Sequence, residues 1–177
     1  MPLNLTNLDE RTRSFMLKEI ESDASSGKVY ISPRLNVHGQ QEYLRLLREA
    51  ASNHDDSWLA NQIRMNGLMK TEEERRKPKG GYTIAQVPVT APDTLAEGEF
   101  NRFYIRGLCL RAIQDSVPEL VVYRAKQVSN PRRESEALIG ARIAPDRLLQ
   151  DIRTHPGVDT ALGLPPGPNS GLSVHLP

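Results

Sequence analysis

Three arginines, Arg102, Arg106 and Arg111, fall at near-helical spacing in the run TLAEGEFNRFYIRGLCLRAIQ, residues 94–114. A guanidinium is a rigid fork of N–H donors that matches carboxylate or phosphate. Arg102 and Arg106 stand four apart and share one helical face, and Arg111 lies near that face about a turn further on. With Arg124, Lys126, Arg132 and Arg133 they form a candidate basic surface for phosphates, the basis of a nucleic-acid reading. The competing reading is internal: Arg102 pairs with Glu99, while Arg106 and Arg111 cross to acids on neighbouring helices.

Two charged stretches are candidates for partner contact. Residues 72–79 read EEERRKPK, with Arg75, Arg76, Lys77 and Lys79 running into Gly80-Gly81; lacking an apolar stripe, they are expected as an exposed turn of helix leading to a mobile loop. Residues 130–136, NPRRESE, expose Arg132 and Arg133 in the same way. The Pro/Gly-rich end adds Pro165 and Pro166 as residues for a partner to hold.

Signs of catalysis are sparse. The four histidines, His38, His54, His155 and His175, form no HxH or HxxxH pair. His54-Asp55-Asp56 evokes mixed metal ligation, but adjacent residues cannot all face one ion, so a helix cap is expected there. Cys109 is the only cysteine, which excludes an internal disulfide and a multi-cysteine metal site, and its apolar neighbours mark it as buried. No phosphate-binding glycine loop or GxSxG elbow occurs. Arg124 at a strand end and Glu134-Ser135-Glu136 resemble the Arg and Glu-x-Glu elements of ADP-ribosyltransferases. That family places a Ser/Thr-rich strand between them, whereas here only residues 125–133 intervene, so a charged loop beside a strand is expected. No catalytic residue, cofactor, metal or small-molecule substrate is assigned.

Composition bounds the fold. At 38% hydrophobic and 25% charged the chain is ordinary globular, and its length suits one domain. Aromatics are only 5%, so the core must rest on aliphatic side chains. The net charge of +1 is uneven: residues 1–100 carry 13 basic against 15 acidic groups, and residues 101–177 carry 10 against 7. That asymmetry suits contact between acidic and basic surfaces more than a strongly basic nucleic-acid face. The opening MPLNLTNLDERTR has neither the basic nor the apolar region of a secretory signal, and no apolar run is long enough to span a membrane. The expected location is the cytoplasm or a particle assembled there.

The elements follow from periodicity and punctuation. Asn7 and Glu10 suggest a capping box opening a helix to about Asp23, with Phe15, Met16 and Ile20 inward. Val29-Tyr30-Ile31 reads as a short strand. Helices are expected over 39–52, over 57–66 with Gly67 as its stop, over 94–114 capped by Asp93, and over 145–153 opened by Pro145. Residues 82–87 and 120–123 read as strands. From His155 the chain is rich in Pro and Gly, and residues 155–177 are expected as an extended tail without a core of its own. The resulting fold class is α+β, a small mostly antiparallel sheet of about three strands packed against about five helices, in a single domain over 1–154.

The segments LNLTNLDERTRSFMLKEIESD, residues 3–23, and EGEFNRFYIRGLCLRAI, residues 97–113, resemble uncharacterised proteins of tailed bacteriophages and prophages from the virion-structural region. The likeness runs over the first 150 residues and carries no catalytic motif. It implies a protein that associates with a particle or with copies of itself. The expectation is therefore a non-enzymatic structural or binding protein, a homo-oligomer or phage structural component. The alternative is a nucleic-acid-binding accessory protein using Arg102, Arg106, Arg111 and Arg124 with the 130–136 loop.

Overall fold

The structure, a computed structural model, describes residues 1–156 and 170–177. The chain is α+β, with six helices and two small antiparallel sheets among the described residues. Helix α1 (Glu10–Ser26) begins at Asp9, whose side chain accepts from the Thr12 N–H, and ends at Gly27 in the left-handed conformation. Asn7, expected as the cap, instead receives the Leu176 N–H on its side-chain oxygen at 2.9 Å.

Helix α2 (Val37–Asn53) is capped by Asn36 and helix α3 (Asp56–Met65) by Asp55. Asp56 turns instead to the Leu3 N–H at 3.0 Å, so the adjacent acids serve different donors. His54 stacks on Trp58 with ring centroids 4.2 Å apart. Residues 28–32 form no strand despite Val29, Tyr30 and Ile31. Only Leu35 beyond them makes a bridge, to Met69. β-branched and aromatic residues favour a pleated surface, but a strand also needs an edge to pair with.

Strand β1 (Glu72–Arg76) and strand β2 (Tyr82–Gln86) form a two-stranded hairpin. The expected helical turn at Glu72 is thus a strand. The turn uses positive φ at Gly80 (94°) and Gly81 (79°), which glycine adopts without a Cβ clash. Once that turn sets the register, EEERR becomes the ladder partner of YTIAQ despite its low strand propensity.

Helix α4 (Ala91–Gln114) opens with Pro92 in its first turn, three residues earlier than Asp93 would place it. It is the axis of the fold rather than a surface helix. From Glu99 to Cys109 every side chain except the half-buried Asn101 is buried, and α1, α3 and helix α6 (Pro145–Thr154) pack around it. The close crossing with α1 occurs at Gly107, where a Cβ would lie 2.8 Å from the Met16 backbone nitrogen.

Strand β3 (Leu120–Arg124) is the centre of the second sheet, between β4 (Arg142–Ile143) and β5 (Leu172–His175), with α5 (Arg133–Ala137) in the connection. The end of the expected tail is therefore part of the fold. Leu172 and Val174 are buried in the main core beside Leu120 and Val122. Helix α4 holds this strand with polar bonds: Asn101 Nδ2 donates to the Leu172 carbonyl at 2.8 Å, and the Tyr104 hydroxyl donates to the Val174 carbonyl at 3.1 Å. Among the described residues, no helix is long and apolar enough to cross a membrane.

Candidate functional site

The arginines of α4 are the first test of where chemistry could occur, and they turn inward. Arg106 is 1% exposed. Its Nε donates to Glu19 at 2.7 Å, and its Nη1 and Nη2 donate to the two Asp23 oxygens at 2.7 and 2.8 Å. Glu19 and Asp23 lie four apart on one face of α1, which is why one guanidinium reaches both. Arg153 of α6 also binds Glu19. Burial by itself would raise the Glu19 carboxyl, but hydrogen bonds from Arg153 and the charge of Arg106 outweigh it and hold Glu19 below the usual range.

Arg102, 8% exposed, contacts Glu99 at 3.3 Å within its own helix. Arg111 donates to Asp9 at 2.7 and 2.8 Å and to the Thr12 hydroxyl at 2.9 Å. Arg124 is partly buried and donates to the Ser170 carbonyl at 2.9 Å. Arg102, Arg106, Arg111 and Arg124 therefore do not make the exposed basic face that the nucleic-acid reading requires. Arg102, Arg106 and Arg111 are paired with carboxylates and Arg124 with a backbone carbonyl, because a buried guanidinium without a partner is costly. The acids Glu19 and Asp23 carried no sequence signal beyond their i, i+4 spacing.

A cleft of about 910 Å³ opens between the 30–34 segment, Glu72–Glu74 of β1 and the N-terminal half of α4. Glu99 lies in its wall, and burial raises its carboxyl pKa against the opposing pull of Arg102. Tyr43, fully buried, is pushed up by burial and further by the Glu99 charge. The hydroxyl of Tyr43 and the Nε of Arg102 have no hydrogen-bond partner among the described residues. Across the cleft, Glu73 is held by Arg34 at 2.7 and 3.0 Å and by Arg75 at 2.8 Å. Hydrogen bonds from Arg34 and Arg75 lower its pKa. Glu73 and Glu99, two of the four glutamates lining the cleft, are each paired with an arginine. Among the described lining residues there is no histidine or cysteine. Cys109 is buried in the core, and burial raises its thiol far above the ordinary range, so it is held as a neutral thiol.

The other concentration of candidate residues is the β1–β2 hairpin. Arg75, Arg76, Lys77 and Lys79 are all exposed, gathered at its tip, with Arg75 folded back on Glu73. Among the described residues neither strand pairs with any other strand, and all strand residues except Glu73 and Ala85 are exposed. The register puts Tyr82 and Ile84 on the same face as Glu74 and Arg76, and that face meets water: Tyr82 is 67% and Ile84 60% exposed. Arg133 is exposed at the start of α5 and Arg132 is half-buried. Pro165 and Pro166 lie outside the described residues.

No family model, no curated protein and no solved structure matches this chain.

Proposed function

We propose that this chain is a non-enzymatic structural or binding protein that acts by self-association or by docking on a larger assembly. The observation that carries the reading is the exposed β1–β2 hairpin. It presents an outer β2 edge that pairs with no other described strand, exposed Tyr82 and Ile84, and a tip of four basic side chains. Exposed strand edges that a protein does not blunt are templates for pairing with another chain. The segments at residues 3–23 and 97–113 that resemble tailed-phage proteins support a virion as the assembly and a phage origin.

Light scattering behind size exclusion tests this, on the full chain and on a version with residues 72–86 replaced by a short Gly-Ser link. The expected result is a multimer, or retention on the cognate particle, that is lost with the hairpin. A wild type that stays monomeric, binds no particle and is indifferent to the deletion overturns the reading.

A further inference from the structure

The hairpin's geometry specifies which edge is open and what would complete it. The Lys77 N–H donates to the Gly81 carbonyl at 2.9 Å and the Val87 N–H to the Thr71 carbonyl at 2.9 Å. In an antiparallel ladder bonded and non-bonded pairs alternate. The bonded pairs are therefore 77·81, 75·83, 73·85 and 71·87, and the backbone groups of Tyr82, Ile84 and Gln86 point outward from β2. Glu72, Glu73 and Glu74 of β1 line the cleft together with the 30–34 segment, and Arg34 binds Glu73 directly. The outer edge of β2 meets no strand among the described residues. Residues 82–87, YTIAQV, are uncharged and rich in strand-favouring side chains.

Resting on the self-association reading above, we infer that two copies of this chain join through β2, antiparallel across a two-fold axis at Ile84, to make a four-stranded sheet. The outward groups are symmetric about Ile84, so the two-fold sets Ile84 against Ile84 and Tyr82 against Gln86 of the second copy. Both flanking rows then read Glu72–Gln86 on one copy and Tyr82–Arg76 on the other. The Gln86 carbonyl already accepts from Arg75 at 3.2 Å, and its second lone pair serves the new ladder.

Charge selects this orientation. Each hairpin is acidic at its base, Glu72, Glu73 and Glu74, and basic at its tip, Arg75, Arg76, Lys77 and Lys79. Antiparallel docking places each basic tip toward the other copy's acidic base, whereas parallel docking would bring both tips together. Such an interface is isologous and closes at two copies.

Cysteine cross-linking with mass measurement tests the register. Opposed residues of a bonded pair have Cα atoms about 5.5 Å apart, within disulfide reach. The two Tyr82 positions would be offset by four residues, roughly 13 Å, out of reach. Cys109 is buried and does not compete. Under mild oxidation Ile84→Cys is expected to run as a disulfide-linked dimer and Tyr82→Cys as a monomer on a non-reducing gel. Ile84→Pro removes only an outward N–H, so it is expected to keep the wild-type circular dichroism while losing the dimer. Dimers that survive Ile84→Pro, or equal linking by Tyr82→Cys, overturn the β2 interface and leave self-association by another surface. A wild type that is monomeric at every concentration overturns both.

Discussion

Arg106 on α4 grips Asp23 on α1 through two parallel hydrogen bonds, at 2.7 and 2.8 Å, while its Nε binds Glu19. The two helices lie far apart in the chain, and this pairing occurs where side chains are out of water. Its guanidinium also lies over the Phe103 ring, 4.9 Å from the centroid. The network is thus a joint between α1, α4 and, through Arg153, α6.

Breaking the joint from one side leaves uncompensated charge in the core. Arg106→Ala is expected to lower the unfolding free energy by about 3–5 kcal/mol, read as a fall in urea midpoint. Arg106→Lys recovers only part, because an ammonium cannot span Glu19 and Asp23 as the fork does. An Arg106→Ala variant as stable as wild type would show the network to be slack.

The pH dependence has two opposed parts. Glu19 is held below its ordinary value near 4.5, so its contribution is present above that pH and lost as pH falls through the lower folded value. Glu99 is raised above 4.5, so its contribution is full below 4.5 and lost as pH rises through its folded value. In urea titrations at stepped pH, Glu19→Gln is expected to flatten the acid limb. Glu99→Gln is expected to flatten the decline on the other side. A Glu19→Gln profile parallel to wild type in acid would refute the assignment.

At the α1–α4 crossing a single methyl group is expected to matter. Gly107→Ala should improve helix propensity by about 0.8–1 kcal/mol. Its Cβ would, however, sit 2.8 Å from the Met16 backbone nitrogen, and overpacking of this kind costs about 1–3 kcal/mol. The net expectation is a lower melting temperature in calorimetry; a higher one would mean that the crossing can open freely.

The last strand is expected to be structural. Val174 is fully buried, and Val174→Ala should cost about 2 kcal/mol, a drop of roughly 4–8 °C in melting temperature. Removing residues 170–177 should be worse, because Asn101, Tyr104 and the Asn7 side chain lose their partners as well. Truncation without a thermal shift would restore the picture of a free tail.

Local signals carried the helices well. Asp55 capping α3, Gly67 just past its end and Pro145 opening α6 act within a few residues of themselves, so their meaning survives out of context. Val121-Val122 in β3 were legible for the same reason. Non-local pairing was not. Val29-Tyr30-Ile31 has strand chemistry but no pairing, whereas Glu72–Arg76 lacks strand chemistry and is paired by the hairpin register. Residues 172–175, following a Pro/Gly-rich stretch, become a strand because β3 offers an edge and α4 offers Asn101 and Tyr104. The α4 arginines are the sharpest case. Their spacing along the helix is intrinsic, but whether they face phosphate or carboxylate depends on where Glu19 and Asp23 arrive. That arrival follows from the contact of Gly107 with Met16, a packing event between segments some ninety residues apart along the chain.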